Sequence, residues 1–524
     1  MAELPIPRHQ PARDSARLLT PLGTALVVGL AALIRFWALG RPGLLVFDET
    51  YYVKDAFTLW QLGFEAQWPA DINAAFEAGD VFSFLPDAAF VVHPPVGKWL
   101  IALGLMVGGA ENAWAWRLSS AVVGVLAVWM MIRIARRLFG SDLIGLIAGL
   151  LLAVDGLAIV QSRIALLDQF LMFFVLAAFG ALLQDRTQFF AHIENLASLS
   201  AGFRETPTLN RTELSRQHRK TLKPNFRWWR LLAGVLLGLA CGVKWSGAYF
   251  LAGFGLLTVW WDLTGYRALA WHTGKPFRVF IGSWLRQTLA AFLSLVPVAA
   301  LTYLATWFSW FRTPGSWGRN WAEHNPGAGI TWLPPLLRSW VHYHSQVWTF
   351  HTGLDSPHPY ESQAASWLLQ IRPTAFFWGD DAYLANYPRC ERLHHCSMAI
   401  NSLGNPILWW LGFAAILATI WFGWVYRDWR GLASLSGIAF GWLPWLLYPD
   451  RTTFTFYSIA FLPWIIFTIC YAFTMIRNWR WGRDLTLALV IVIVAVSIWF
   501  YPIWTALPIE RSYWESLMWL RTWV

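Results

Sequence analysis

Charge is what this sequence most lacks. Asp, Glu, Lys and Arg make up 13% of its 524 residues, against about 25% in an ordinary soluble domain. With hydrophobic residues at 57%, that shortage excludes a water-soluble globular chain and leaves a polytopic membrane protein. Cysteine is also scarce, at four. No internal repeat or low-complexity tract is evident. A transporter or lipid flippase should show repeated halves and a charged path near the membrane midplane, so its signature is missing. The net charge is +10, yet no basic patch is arranged for DNA or RNA. Retention charges and contact with the anionic lipid of a bilayer account for it, and nucleic acid is not expected as a partner.

What is present is a series of apolar runs close to the length of about 20 residues that spans a bilayer. Eleven are predicted, at about 18–39, 117–134, 142–159, 167–183, 231–243, 247–261, 287–307, 406–426, 432–448, 457–476 and 485–505. The fifth and sixth are short and turn at Gly242-Val243-Lys244-Trp245-Ser246-Gly247, which predicts two broken or tilted helices meeting inside the protein. The expectation is an all-α polytopic membrane protein.

Orientation follows from Lys and Arg, which are retained in cytoplasmic loops. With the N-terminus inside, the inner segments hold 24 of the 40 basic residues, although the outer segments are about twice as long. An odd number of spans then puts the C-terminal tail, 506–524, outside. Residues 1–17 contain Pro5, Pro7 and Pro11 and no apolar core, so a disordered cytoplasmic tail is expected rather than a cleaved signal peptide. Two outer segments are large, 40–116 and 308–405. In the first, Trp99 to Val107 reads as a helix lying in the interface. The inner segment 186–230 is polar and basic and reads as an amphipathic or flexible loop without chemistry. Cys241 and Cys470 fall in spans as packing residues, while Cys390 and Cys396, on the oxidising face, are expected to form a disulfide.

On this topology a set of scattered charges lands on one side of the membrane: Asp48, Glu49, His93, Lys98, Arg117, Arg163, Asp168, Lys244 and Arg451. Asp48-Glu49 is the most informative of them, because two carboxylates just beyond the first span belong in a wet cavity or a functional site. The cations run against the inside bias, and a phosphate-bearing lipid headgroup would give each a local reason.

These residues carry a family resemblance. Phe47-Asp48-Glu49-Thr50-Tyr51-Tyr52, His93-Pro94-Pro95-Val96-Gly97-Lys98, Arg117-Leu118, Ser162-Arg163 through Asp168, and Gly242 through Gly247 occur in that order. His358-Pro359-Tyr360-Glu361-Ser362 and Arg451-Thr452-Thr453-Phe454 follow. Each motif alone is weak, but the ordered set resembles the protein O-mannosyltransferase family with its GT-C membrane fold. The MIR domains of eukaryotic members do not fit in 308–405, so the resemblance is to the shorter bacterial branch.

The resemblance implies transfer of mannose from polyprenyl-phosphate-mannose to Ser or Thr hydroxyls of secreted or membrane proteins, at the extracytoplasmic face of the cell membrane. It makes Asp48 the base and Glu49 its helper in positioning substrate. His93, Lys98, Arg117, Arg163, Asp168, Lys244, His358, Glu361 and Arg451 are expected to bind substrate. Asp168 is expected to orient Arg163 or Lys244. The residues alone do not identify the acceptor, so a glycolipid or cell-wall glycan remains the alternative. A secretion translocon that delivers unfolded substrate is a further partner left open. No cofactor is firmly predicted. A divalent cation near Asp48-Glu49 stays open because other GT-C enzymes use one, whereas His342, His344, His351 and His358 lack ligand spacing.

Overall fold

The computed structural model describes residues 19–205 and 226–524 apart from 386 and 394. The predicted tail, 1–17, and the stretch 206–225 lie outside the described residues. The chain opens with α1 (Leu19–Phe36), then α2 (Glu49–Leu62), α3 (Asn73–Glu77), α4 (Val96–Gly108), α5 (Ala113–Phe139), α6 (Asp142–Val154), α7 (Gly156–Gln161) and α8 (Asp168–Glu205). It continues with α9 (Trp228–Val243), α10 (Gly247–Thr273), α11 (Ile281–Thr306), α12 (Pro335–Thr352), α13 (Pro406–Tyr426), α14 (Trp429–Gly441), α15 (Leu462–Ile476) and α16 (Gly482–Phe500). Among the described residues six helical segments are long and apolar enough to cross a membrane, and four shorter helices are apolar. Most of α8 and of Thr455–Ile476 is buried, whereas α11 and Gly482–Trp504 turn most of their side chains outward.

Several predicted spans differ from the helices found. The run at 142–159 is broken at Asp155, which ends α6 and caps α7 by accepting from Ala158 N (3.1 Å). The break is tolerated because the carboxylate and the carbonyls it exposes find partners inside the protein. Asp155 Oδ2 also accepts from Asn405 N and Trp409 Nε1, both at 3.0 Å, and Arg35 donates to the Leu152 and Ala153 carbonyls. The sixth run is not short, since α10 extends over 27 residues. Residues 186–205 continue α8 as helix rather than forming a loop. The predicted spans 432–448 and 457–476 are part 3₁₀: α14 stops at Gly441 and is followed by a 3₁₀ turn at Leu443–Leu447, and another turn, Thr455–Phe461, precedes α15.

The chain is also not wholly helical. Strands β1 (Thr374–Trp378) and β3 (Ala399–Ser402) pair antiparallel, and β2 (Cys396–Ser397) pairs with β4 (Ile509–Glu510). The segment 506–524, expected as a separate outer tail, is thereby stitched to 308–405. Cys390 and Cys396 form a disulfide there, while Cys241 and Cys470 are free.

At one end of the bundle Asp185, Arg227, Arg230 and Asp262 form a compact lattice. Arg227 reaches Asp185 (2.5 Å) and Asp262 (2.9 Å), and Arg230 reaches the same two acids (3.1 and 2.9 Å). Two cations against two anions leave these buried groups neutral as a set, the condition under which buried charge is tolerated. Arg227 and Arg230, counted in the sequence among the retention charges, therefore also tie α8, α9 and α10 together.

Candidate functional site

The opposite end of the bundle is built around the break between α9 and α10. Lys244 follows α9 directly, and α10 begins again at Gly247. A Cβ on Gly247 would stand 2.6 Å from Cys241 N and 2.7 Å from the Ala240 carbonyl carbon, so only glycine lets the chain turn back this tightly. The ammonium of Lys244 thus sits at a helix C-terminus. Asp168, the first residue of α8, sits at a helix N-terminus, and each charge is favoured by the dipole it faces. They meet at 2.8 Å, with Lys244 Nζ also 5.0 Å from the ring centre of Tyr457.

Lys244 and Asp168 line a cavity of about 500 Å³ whose walls are mostly apolar. His93 and Arg451 share that lining. Arg451 is held by His351, donating to its carbonyl oxygen (3.0 Å) and to its Nδ1 (3.3 Å). His351 Nε2 in turn donates to the Val92 carbonyl (3.1 Å), which packs the ring against His93 with centroids 5.3 Å apart. Burial and the neighbouring Lys244 ammonium push His93 well below its ordinary value, and burial and Arg451 push His351 down to about 4. Both imidazoles are neutral hydrogen-bonding groups at neutral pH.

Asp48 stands beside this lining rather than in it. It is the residue before α2, within electrostatic reach of Lys244 and Asp168 and hydrogen-bonded to Tyr52, whose ring tilts against His93 at 6.1 Å. Burial lifts its carboxyl to about 6 against the opposing pull of Lys244. Phe47, immediately before it, has φ +50° and stacks on Phe376 at 4.8 Å. The register of β1 against β3 shifts between Ala375 and Phe377, and a bulge of this kind re-aims the side chain it contains.

Glu49 points elsewhere, as adjacent helical residues diverge by about 100°. It is fully buried and locked to Arg117: Oε1 accepts from Arg117 Nε and Ala165 N, both at 2.8 Å, and Oε2 accepts from Arg117 Nη2 (2.8 Å) and Val46 N (3.0 Å). Arg117 spends its remaining donors on the Leu39, Pro42 and Leu44 carbonyls. The two adjacent acids therefore do not present a joint face to a cation. Among the described residues no group of three or more His, Cys, Asp or Glu is disposed to hold a metal ion.

The remaining sequence candidates are arranged around the cavity without lining it. Lys98 pairs with Glu65 and donates to the His93 carbonyl (3.1 Å), so it fixes the loop that carries His93. Arg163 caps α1 through the Ile34, Arg35, Trp37 and Ala38 carbonyls; of the two partners expected for Asp168 it is Lys244 that pairs with it. His358, whose backbone N–H donates to Glu361 Oε2 (3.3 Å), sets its ring edge-on to Phe454 and to Phe47, the residue before Asp48. The sequence pattern does not single out Trp245, Tyr303 or Tyr457, which also line the cavity. For His344, Trp348 and His351 a signal exists in their spacing of i, i+4 and i+7, which puts all three on one face of α12.

A family model described as dolichyl-phosphate-mannose-protein mannosyltransferase matches residues 92–187, and one described as the C-terminal four TMM region of protein-O-mannosyltransferase matches 336–523. The polyprenol-phosphate-mannose–protein mannosyltransferase of Mycobacterium tuberculosis is 34% identical over 518 residues, covering 95% of this chain and 91% of that one. The chain belongs to the protein O-mannosyltransferase family. The Corynebacterium glutamicum member is 33% identical over 520 residues, again with 95% and 91% coverage. Protein O-mannosyl-transferase 1 of Homo sapiens is 27% identical over 267 residues, 48% of this chain but 29% of the human one. Among solved structures, the S. cerevisiae Pmt1-Pmt2 complex bound to its sugar donor superposes with a TM-score of 0.67 at 16% identity, covering 98% of this chain and 93% of the yeast one. The protein O-mannosyltransferase fold is thus shared over nearly the whole length.

Proposed function

We propose that this chain transfers mannose from polyprenyl-phosphate-mannose to Ser or Thr hydroxyls of secreted or membrane polypeptides, in a single displacement that inverts the anomeric centre. The observation that supports this most is the grouping of Asp48, Asp168 and Lys244 beside one largely apolar cavity. An apolar cavity with one ionic corner suits a lipid carrying a phosphate. The positive-inside bias supports a site on the extracytoplasmic face of the cell membrane, with the N-terminus inside.

An aliphatic hydroxyl is a weak nucleophile and needs a base within hydrogen-bond reach. Asp48 takes that proton as the acceptor oxygen attacks the anomeric carbon. The bond from that carbon to phosphate breaks with its electron pair staying on the phosphate. Because the leaving group is a stable phosphate, no general acid is required; the need is a cation where negative charge grows. Lys244 supplies it and Asp168 orients Lys244. His93 and Arg451 contact the headgroup, while His358 and Glu361 flank the acceptor beside Phe47. Glu49, Arg117, Lys98 and Arg163 act through the backbone and side chains they hold.

The test is incubation of purified protein with labelled polyprenyl-phosphate-mannose and a Ser/Thr-rich peptide. Label should appear in the peptide, and label that enters only lipid or glycan would sink the reading. The pH profile is a second expectation. The base must be ionised, and the ionised fraction of Asp48 falls as pH drops through its raised value of about 6. Log(kcat/KM) should therefore rise with pH up to about 6 and level off above, and a flat profile through that region removes Asp48 as the base. Lys244→Met should raise the donor KM by about ten- to a hundredfold, the loss expected for a hydrogen bond to a charged group. An unchanged donor KM would exclude Lys244 from the phosphate site.

A further inference from the structure

Three side chains that no step above uses form a one-way hydrogen-bond chain along the cavity wall. His344 Nδ1 lies 2.8 Å from the Trp340 carbonyl oxygen. A carbonyl only accepts, so this nitrogen bears the proton and Nε2 is the acceptor. Tyr303 Oη, 2.7 Å from Nε2, therefore donates to it. The same Oη accepts from Trp245 Nε1 at 2.9 Å. Burial pushes His344 down to about 4, so the ring is neutral and the direction of the chain is fixed through the neutral range.

The three residues come from the α9–α10 break, the last turn of α11 and the middle of α12, and all line the cavity. Trp245 lies nearly parallel to His344, with centroids 5.7 Å apart and planes at 22°. It is also the residue that follows Lys244, at a point where the backbone has left one helix and not yet entered the next. With its N–H engaged the half-buried indole is held in one orientation; without that partner the hydrogen bond that fixes the ring is gone.

We infer that Tyr303 and His344 are positioning residues which fix Trp245, and through it the Lys244 ammonium, for the phosphate of the lipid donor. The donor side is indicated by what borders Trp245. The cavity that Trp245 lines also has Val296, Ala299 and Ala300 of α11 and Leu251 of α10 in its wall, and α11 turns most of its surface outward. An isoprenoid chain meets no penalty along such a wall. A polypeptide would leave its backbone N–H and C=O groups unsatisfied.

The inference rests on the mannosyltransferase reading only for the identity of the sugar, and binding of unglycosylated polyprenyl phosphate tests it separately. In the full-length protein in lipid nanodiscs, Tyr303→Phe keeps the ring and removes the one hydroxyl. It should bind polyprenyl phosphate about tenfold more weakly than the parent, the size expected when one hydrogen bond is lost and its partners are orphaned. The donor KM should rise by the same factor and kcat should fall with it, because the same ammonium meets the charge growing on the phosphate, while the acceptor KM holds. His344→Leu should reproduce the effect. His344→Gln, whose amide accepts from Tyr303, should restore most of the affinity.

Equal binding by the parent and Tyr303→Phe overturns the inference. So does a parent that fails to bind polyprenyl phosphate, or a variant that loses kcat and both KM values together with a lowered Tm. A parent whose polyprenyl phosphate binding depends on Tyr303 but which transfers no mannose defeats the proposed function and leaves the positioning role standing.

Discussion

Asp48→Asn is expected to lower kcat for mannose transfer by about 10²- to 10⁴-fold, the range that a positioned general base supplies, with little change in donor KM. Asparagine keeps the shape and a hydrogen-bonding group beside Tyr52 but accepts no proton from the attacking hydroxyl. Folding should survive. A carboxyl whose folded pKa is lifted by burial from 3.8 to about 6 binds its proton more tightly in the folded state than in the unfolded one. Its contribution to stability is therefore greatest at low pH and is lost as pH rises through about 6. At neutral pH the substitution removes an unfavourable buried charge, so Tm should hold or rise. Transfer by Asp48→Asn at the parent rate would end the mechanism, and a collapse in Tm would mean the loss of rate reports on folding.

Arg117→Met is expected to produce the largest loss of stability, about 3–5 kcal/mol, because it leaves the Glu49 carboxylate buried without its counter-charge. It also strands the Leu39, Pro42 and Leu44 carbonyls that the guanidinium ties to the loop before α2. The measurement is thermal unfolding of detergent-purified protein. The double variant Glu49→Gln, Arg117→Met should recover part of the loss, since it removes both charges. Glu49→Gln alone separates two roles for this acid. If Glu49 is scaffolding, activity and Tm fall together. If Tm moves by less than about 2 °C, small on the scale of such shifts, while kcat falls a hundredfold or more, Glu49 takes part in the chemistry and the scaffolding role fails.

The difference between Asp48 and Glu49 also marks where the sequence stops being informative. That two acids follow the first span, and that Lys244 lies in a helix break, is legible from hydropathy and motif order. Which acid stands near Lys244 and which is locked to Arg117 is not, because adjacency along the chain carries no direction until a helix begins between them. Arg163 and Arg117 read as phosphate ligands for a similar reason. A cation in an apolar chain needs an anion or a set of carbonyls, and only the folded backbone decides which. The break at Asp155 is hidden because its compensating groups, Arg35, Asn405 and Trp409, lie more than a hundred residues away in sequence. The face of α12 is legible in the spacing of His344, Trp348 and His351, which a helix puts on one side.

One helix joins the two polar ends of the molecule. Asp168 opens α8 and Asp185 follows seventeen residues on, about 25 Å along a rod that rises 1.5 Å per residue. At one end the rod is keyed to Lys244, at the other to Arg227 and Arg230. A single residue inserted between the keys would twist one end against the other by about 100°, and the two locks could no longer be closed at once. The helix works as a spacer gauge whose length and phase hold the Asp168–Lys244 pair in register with the far side of the bundle.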